Sequence, residues 1–144
     1  MGVAFRTGAL RLRAGPRDPA LRKARVCYDH LAGELSVQIF ESLLKRGALA
    51  LSGDGLTLTP NGRRFFKKAG IDAAALQHQR RPFCRACLDW SERRHHLAGA
   101  LGAALLEHMM ARRWARRDRE SRVVNLTTAG EKAIRELFRL PDIS

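Results

Sequence analysis

The sequence contains few cysteines and no long hydrophobic run, and both shortages restrict the kind of protein it encodes. Three cysteines among 144 residues, an odd number, argue against a disulfide framework of the kind that holds small secreted domains together. No apolar run approaches the roughly 18 residues that a membrane-spanning helix requires. The basic stretch from Met1 to Arg17 lacks the apolar segment of a secretory signal. These absences predict a cytoplasmic protein with no membrane partner.

Acidic residues are also scarce. The chain has 14 Asp and Glu against 27 Lys and Arg, which gives a net charge of +13. This excess favours contact with DNA, RNA or another polyanion, and the alternative is a solvated basic surface. Hydrophobic residues make up 45% of the chain, which is enough for a core, and the length suits one domain or two very small ones.

The tetrapeptide His-Leu-Ala-Gly occurs twice, at positions 30–33 and 96–99, each time shortly after a Cys-x-Asp sequence. The offset of 66 (96 minus 30) also relates the apolar residues that follow, whose four-residue spacing predicts one face of a helix. These are Leu31, Leu35, Ile39 and Leu43 in the first copy, and Leu97, Leu101, Leu105 and Met109 in the second. Gly33 and Gly99 predict a close crossing of the two helices around a pseudo-twofold axis. The alternative is that each glycine packs under its own hairpin.

A β-hairpin and a further helix are predicted after each of these helices. Asp54-Gly55 supplies the turn of the first hairpin, and Thr59-Pro60 begins the helix that follows it. The sequence thus predicts an α+β, mainly helical fold made of two tandem winged-helix-like units, each with the order helix, β-hairpin, helix. The assigned ranges are a disordered basic arm at 1–17, the first unit with a connecting helix at 18–79, and the second unit at 80–144.

Three shorter helices are expected outside this pattern. They run from Pro19 to about His30, from Asp72 to Gln79, and from Phe83 to Glu92. In contrast, no helix-turn-helix is expected, because the apolar spacing of the two long helices continues unbroken past Ser36 and past Gly102. Direct reading of DNA bases by either unit is therefore not expected.

A cluster of arginines surrounds the second predicted hairpin. Such a wing could follow DNA phosphates and bind without sequence preference, and the alternative is a solvated hairpin face. The members are Arg112, Arg113, Arg116, Arg117, Arg119 and Arg122.

The segments Ala24–Gly33 and Arg80–Gly99 resemble one branch of the ArsR-type (arsenical-repressor-like) transcriptional regulators. The resemblance covers roughly Gly15 to Leu140 and implies a dimeric, cytoplasmic, DNA-binding regulator with an effector. Members of that branch carry a winged helix-turn-helix before the matched part, and Met1 to Arg17 contains none. The chain therefore resembles the C-terminal sensing and assembly part of such a regulator, with DNA read by a separate domain. The alternative is a basic module that itself binds nucleic acid through the arginine wing.

Polar and aromatic residues cluster beside both His-Leu-Ala-Gly segments. If the two repeats face each other, these groups converge into a pocket for a small-molecule effector. The alternative is a structural polar network in which Asp89 or Glu92 pairs with Arg93 or Arg94 and Trp90 belongs to the core. The candidate residues are Cys27, Tyr28, Asp29, His30, Cys87, Asp89, Trp90, Arg93 and His96.

A Cys-x-x-C sequence followed by two histidines suggests a site for a soft metal ion. Cys84 and Cys87 would share one face of the predicted helix, with His95 and His96 as further ligands. The alternative is that the cysteines are buried apolar residues. No catalytic residues are assigned, because no nucleophile elbow, phosphate-binding loop or metalloprotease helix is present in the sequence.

Overall fold

The computed structural model describes residues 18–53 and 55–141; the predicted basic arm at 1–17 lies outside these residues. We call residues 18–79 the first half and residues 80–141 the second half. The first half contains α1 (Pro19–Lys23), β1 (Arg25–Cys27), β2 (His30–Ala32), α2 (Glu34–Lys45), β3 (Leu49–Ser52), β4 (Gly55–Leu58), α3 (Pro60–Ala69) and α4 (Ala73–Gln77).

The second half repeats this order without the terminal helices. It contains β5 (Arg85–Leu88), β6 (His95–Ala98), α5 (Gly99–Ala111), β7 (Ala115–Arg117), β8 (Val124–Leu126) and α6 (Thr128–Phe138). The strands form four antiparallel hairpins, β1–β2, β3–β4, β5–β6 and β7–β8. The α+β class is confirmed, and the order helix, hairpin, helix occurs in both halves. The winged-helix-like identity of these units stays a prediction.

Both long helices are continuous, as the apolar spacing predicts. α2 passes through Ser36 and α5 passes through Gly102 without a corner. The side chains that α2 buries include Leu35, Ile39 and Leu43, which are members of the predicted stripe. Within the described residues, no helix is long and apolar enough to cross a membrane.

Of the three predicted shorter helices, the first begins at Pro19 as predicted but is wrong beyond Lys23, and the third is wrong throughout. Where helices were expected up to His30 and from Phe83 to Glu92, the chain forms the hairpins β1–β2 and β5–β6. α1 ends at Lys23, and the next residue is already extended. These strands contain only three or four residues each, so their local preference is weak and the packing of the whole molecule decides their conformation. Asp72 caps α4 as predicted, with its carboxylate accepting a hydrogen bond from the Ala75 N–H at 3.2 Å.

The two repeated glycines lie where a strand turns into a helix, so the predicted crossing of two helices at these positions is wrong. Gly33 and Gly99 have φ angles of 101° and 81°, which side-chain-bearing residues rarely adopt. A Cβ at Gly33 would lie 2.8 Å from the Arg22 carbonyl oxygen, and one at Gly99 would lie 2.9 Å from that of Phe83. Each glycine thus permits a close backbone approach to the segment that precedes its own strand pair. The Gly33 N–H also donates to Asp89 of the other half, so the alternative, which placed each glycine under its own hairpin without contact between repeats, is wrong as well.

The two halves interlock across a pseudo-twofold arrangement. α2 of the first half packs against β6 of the second, α5 packs against β2, and the strands β2 and β6 lie side by side. The Val124 N–H donates to the Ala24 carbonyl at 3.0 Å, and the Val26 N–H donates to that of Arg122 at 2.8 Å. The buried apolar residues of both halves form one core, so each half completes the core of the other.

Candidate functional site

The hairpins β1–β2 and β5–β6 each place one cysteine directly opposite one histidine. Cys27 pairs with His30 across the first hairpin, and Cys87 pairs with His96 across the second. Because β2 lies beside β6, the two pairs meet at the junction of the halves. One nitrogen or sulfur atom from each of the four side chains lies within 4.8 Å of the other three. We call these residues the junction cluster.

The two histidines of the junction cluster face each other. Their Nε2 atoms are 3.1 Å apart, and only 5% of His30 and 1% of His96 is exposed. The Nδ1 atom of His96 lies 2.9 Å from the carboxylate of Asp89, and that of His30 lies 3.4 Å from Asp29. An ionised carboxylate beside Nδ1 favours the tautomer with the ring proton there, and in that tautomer Nε2 is an acceptor directed at the junction.

Asp89 is completely buried and connects the halves. Its carboxylate accepts hydrogen bonds from the Gly33 N–H at 2.6 Å, the Arg25 guanidinium at 3.2 Å and the Ser91 hydroxyl at 2.9 Å. Burial alone would raise the pKa of Asp89, but the hydrogen bonds from His96, Gly33 and Ser91 and the charge of Arg25 outweigh it and hold this pKa well below its usual range. Asp89 is therefore an ionised carboxylate that fixes the orientation of His96.

Asp29 has the corresponding position beside His30, but nearer to solvent. Its carboxylate forms an ion pair with Arg81 at 2.7 Å. Burial works to raise the pKa of Asp29, and the hydrogen bonds from Arg81 and His30 more than compensate, so the pKa is lowered. Burial, together with the proximity of His96, lowers the pKa of His30. Both histidines thus face an ionised carboxylate that has an arginine partner.

The thiols of the junction cluster are half-buried, and a cleft leads to one of them. Burial raises the pKa of the Cys87 thiol, and the neighbouring Cys27 adds to this effect. A surface cleft with a volume of about 570 Å³ is lined by Cys87, His30 and Tyr28, among others. Solvent species can therefore reach the cluster from one side.

The predicted metal-binding set is divided by the structure. Cys87 and His96 belong to the junction cluster, whereas Cys84 and His95 do not. The Cys84 thiol donates to the Leu56 carbonyl at 3.4 Å, and His95 is exposed. The predicted set is divided because this segment forms a hairpin and not a helix. Neighbouring residues of a strand, such as His95 and His96, point to opposite faces.

The other members of the predicted polar site lie at its margin or outside it. Tyr28 is 88% exposed and Trp90 is 63% exposed, so Trp90 is not a core residue. Arg93 is exposed as well. Asp89 pairs with Arg25 and not with Arg93 or Arg94. Glu92, in contrast, lies 4.0 Å from Arg94, which is one of the pairings of the alternative network.

Two arginines that support the site were not found from the sequence. Arg25 is separated from Asp89 by 64 positions in the sequence, and Arg81 is also far from Asp29 in the sequence. No local pattern marks such partners. A usable signal for the cluster itself is that the repeated Cys-x-Asp and His-Leu-Ala-Gly sequences together supply one cysteine and one histidine in each copy.

The predicted arginine wing is exposed to solvent. All its members have exposed side chains around β7 and β8, and the guanidinium of Arg112 lies 5.6 Å from the ring of Trp114. Asp118, in the loop between the two strands, bonds to the Ser121 hydroxyl and the Glu120 N–H. The surface is therefore available for contact with phosphates.

Comparison with curated proteins finds similarity to the HTH-type transcriptional regulator YdfF of Bacillus subtilis (strain 168). The two are 44% identical over 122 residues, which is 85% of this chain and 54% of the relative. The chain thus spans about half the length of the curated relative that it matches. No family model matches the chain. No solved structure matches it either. Over most of its length, the chain is therefore similar to one part of a helix-turn-helix transcriptional regulator.

Proposed function

We propose that this chain is the sensing and assembly part of an ArsR-like transcriptional regulator that acts as a dimer. The observation that carries the proposal is the 44% identity to a part of an HTH-type regulator. Sequence-selective DNA contact would then come from a separate winged helix-turn-helix segment. The chain would supply the surface between subunits and the site that responds to an effector.

The interlocked packing offers a mechanism for the response. α2 and α5 each pack on a hairpin of the opposite half, and the junction cluster lies between these hairpins. An effector that binds at the cluster changes the separation of β2 and β6, and this moves both long helices. The equilibrium shifts only as far as the effector prefers one arrangement over the other. The free energy of this preference is then available to change the geometry of a dimer on DNA.

Transcript profiling in the native host tests the proposal. Cells that lack the gene are compared with cells that express His30→Ala at the normal level, and the thermal stability of the purified variant is measured in parallel. We expect deletion to change a defined set of transcripts, and a folded His30→Ala protein to lose the response of the same set to growth conditions. If deletion changes no transcript, the proposal is wrong.

A second candidate function is nucleic-acid binding by the arginine wing itself, and the exposure of all its members favours it. The triple variant Arg116→Ala/Arg117→Ala/Arg119→Ala is compared with Arg64→Ala/Lys67→Ala/Lys68→Ala, which removes the same charge from exposed positions of α3. For each phosphate that is no longer neutralised by a side chain, the slope of log affinity for duplex DNA against log salt becomes shallower by about 0.9. A change confined to the wing variant supports this function, and an equal change in both variants contradicts it.

The chain's own DNA selectivity tests whether a separate segment must read the DNA sequence. Purified chain is used to enrich sequences from a random duplex pool over repeated rounds. Weak binding that falls steeply with salt would indicate phosphate contact by the arginine wing. The sensing role predicts no enriched sequence. Tight binding to one enriched sequence would contradict it.

A further inference from the structure

We propose that Cys27, His30, Cys87 and His96 form a tetrahedral binding site for a divalent cation of the Zn²⁺ class. Each half contributes one thiolate and one imidazole. This set differs from the Cys-x-x-C set that the sequence suggested, because only Cys87 and His96 are common to both. The inference does not require the proposed role in transcription, since it depends on the geometry of the junction cluster alone; under that role, the cation would occupy the position assigned to the effector.

The spacing of the ligand atoms fits such an ion. In a tetrahedral zinc site, two imidazole nitrogens lie about 3.4 Å apart and two thiolate sulfurs about 3.8 Å apart. The Nε2 atoms of His30 and His96 are 3.1 Å apart, and no pair among the four ligand atoms exceeds 4.8 Å. Binding therefore requires the most distant pair to approach by only about 1 Å.

The hydrogen bonds of the histidines indicate that an electrophile belongs between them. The carboxylates of Asp89 and Asp29, at 2.9 Å and 3.4 Å from Nδ1, each favour the tautomer with the proton on Nδ1, and in that tautomer both Nε2 atoms present lone pairs to each other. Two acceptors at this distance repel unless a cation lies between them. A shared proton would satisfy the two nitrogens but would give no role to the two thiols beside them. A metal ion uses all four groups, and carboxylates behind the imidazoles are the usual support of histidine ligands.

The charges of the surroundings select a divalent ion. Asp89 is neutralised by Arg25, and Asp29 by Arg81. Two thiolates carry two negative charges, so a divalent cation leaves the buried junction with no net charge. An ion that prefers three sulfur ligands finds only two thiols in the cluster, because Cys84 contacts Leu56 instead. Two sulfurs with two imidazole nitrogens are a ligand set characteristic of zinc.

The test uses the whole reduced chain with Zn²⁺ or Co²⁺ as the only added metal. We expect one equivalent of Co²⁺ to bind and to give the visible bands of a tetrahedral ion, together with a thiolate charge-transfer band. Zn²⁺ should displace it and raise the thermal unfolding temperature, because the ion binds the folded state. Cys27→Ser and Cys87→Ser should abolish these effects. Cys84→Ser, which changes a half-buried cysteine outside the cluster, should leave them unchanged.

A second measurement keeps the test decisive if a variant fails to fold. In the unmodified chain, Zn²⁺ should protect Cys27 and Cys87 from alkylation but leave the reactivity of Cys84 unchanged. Three results would each overturn the proposal: equal protection of all three cysteines, undiminished binding by the double variant Cys27→Ser/Cys87→Ser, or a Cys27–Cys87 disulfide that forms fully in the presence of Zn²⁺.

Discussion

At the residue scale, Asp89 holds the junction together. It orients His96 of its own half and accepts hydrogen bonds from Gly33 and Arg25 of the first half. Arg25 is itself buried, with 5% of its surface exposed, so the two charges depend on each other. Separating such a pair is more costly than removing both charges, because the remaining ion stays buried without a partner.

Asp89→Asn should therefore lower the free energy of unfolding by about 3–5 kcal/mol, as expected for a broken buried ion pair. Urea denaturation in metal-free buffer measures this loss. Asp118→Asn, in the exposed loop between β7 and β8, is the control and should cost far less. Adding Arg25→Met to Asp89→Asn should recover part of the stability. A double variant that is no more stable than Asp89→Asn would show that the charge pairing is not the cause.

His108 on α5 gives the chain a defined response to acid. Burial, and secondarily the charge of Arg112, lowers the pKa of His108 below its ordinary value. The unfolded chain therefore binds a proton at this residue more readily than the folded chain. As pH falls through about 6.5, this residue should lower the stability progressively until its folded pKa is passed.

Urea denaturation of the native chain and of His108→Gln at several pH values measures this effect. The stability advantage of the native chain over the variant should shrink as pH falls from neutral. His78→Gln, at an exposed position after α4, controls for the loss of a histidine as such. A difference between the native chain and His108→Gln that stays constant with pH would contradict the prediction.

At the scale of elements, the sequence predicts the long helices and the hairpins β3–β4 and β7–β8, but it misses the hairpins β1–β2 and β5–β6. α2 and α5 were predictable because four-residue apolar spacing over more than ten residues has few other interpretations. The strands of β1–β2 and β5–β6 are no shorter than those of the other two hairpins, but they are stabilised by contacts with the opposite half, which no local sequence pattern shows. The same error misplaced the metal set, since Cys84 and Cys87 share a face of a helix but not of a strand.

The strand-to-helix turns explain why the repeated tetrapeptide ends in glycine. Gly99→Ala should destabilise the chain by about 1–3 kcal/mol, because alanine is strained at positive φ and its Cβ would meet backbone that cannot move aside easily. Gly33→Ala should behave in the same way. Gly53→Ala, where a Cβ would meet no atom within 4 Å, is the matched control. Thermal unfolding of the three variants measures the effect, and similar losses at Gly53 and Gly99 would refute this explanation.

At the scale of the whole molecule, the interlocked packing makes the halves depend on each other. α2 completes the packing of β6, and α5 completes that of β2. Backbone hydrogen bonds also join the first half to β8 and to the loop before it. Neither half can bury its long helix within its own residues, so the chain should fold as one cooperative unit.

Separately produced fragments 18–79 and 80–144 test this dependence. Each alone should lack a cooperative thermal transition by circular dichroism, and an equimolar mixture should regain one. Cooperative unfolding of either fragment alone, with the same midpoint as the intact chain, would show that the halves are independent.

The pseudo-twofold exchange of helices has a consequence for how the junction depends on protein concentration. A chain with a single repeat could cover the same surfaces only by pairing with a second copy of itself. Here the segment between α4 and β5 tethers the two repeats, so their association is intramolecular and persists however dilute the protein becomes. The tether also releases the repeats from the need to stay identical, and the turn of β5–β6 is already longer than that of β1–β2.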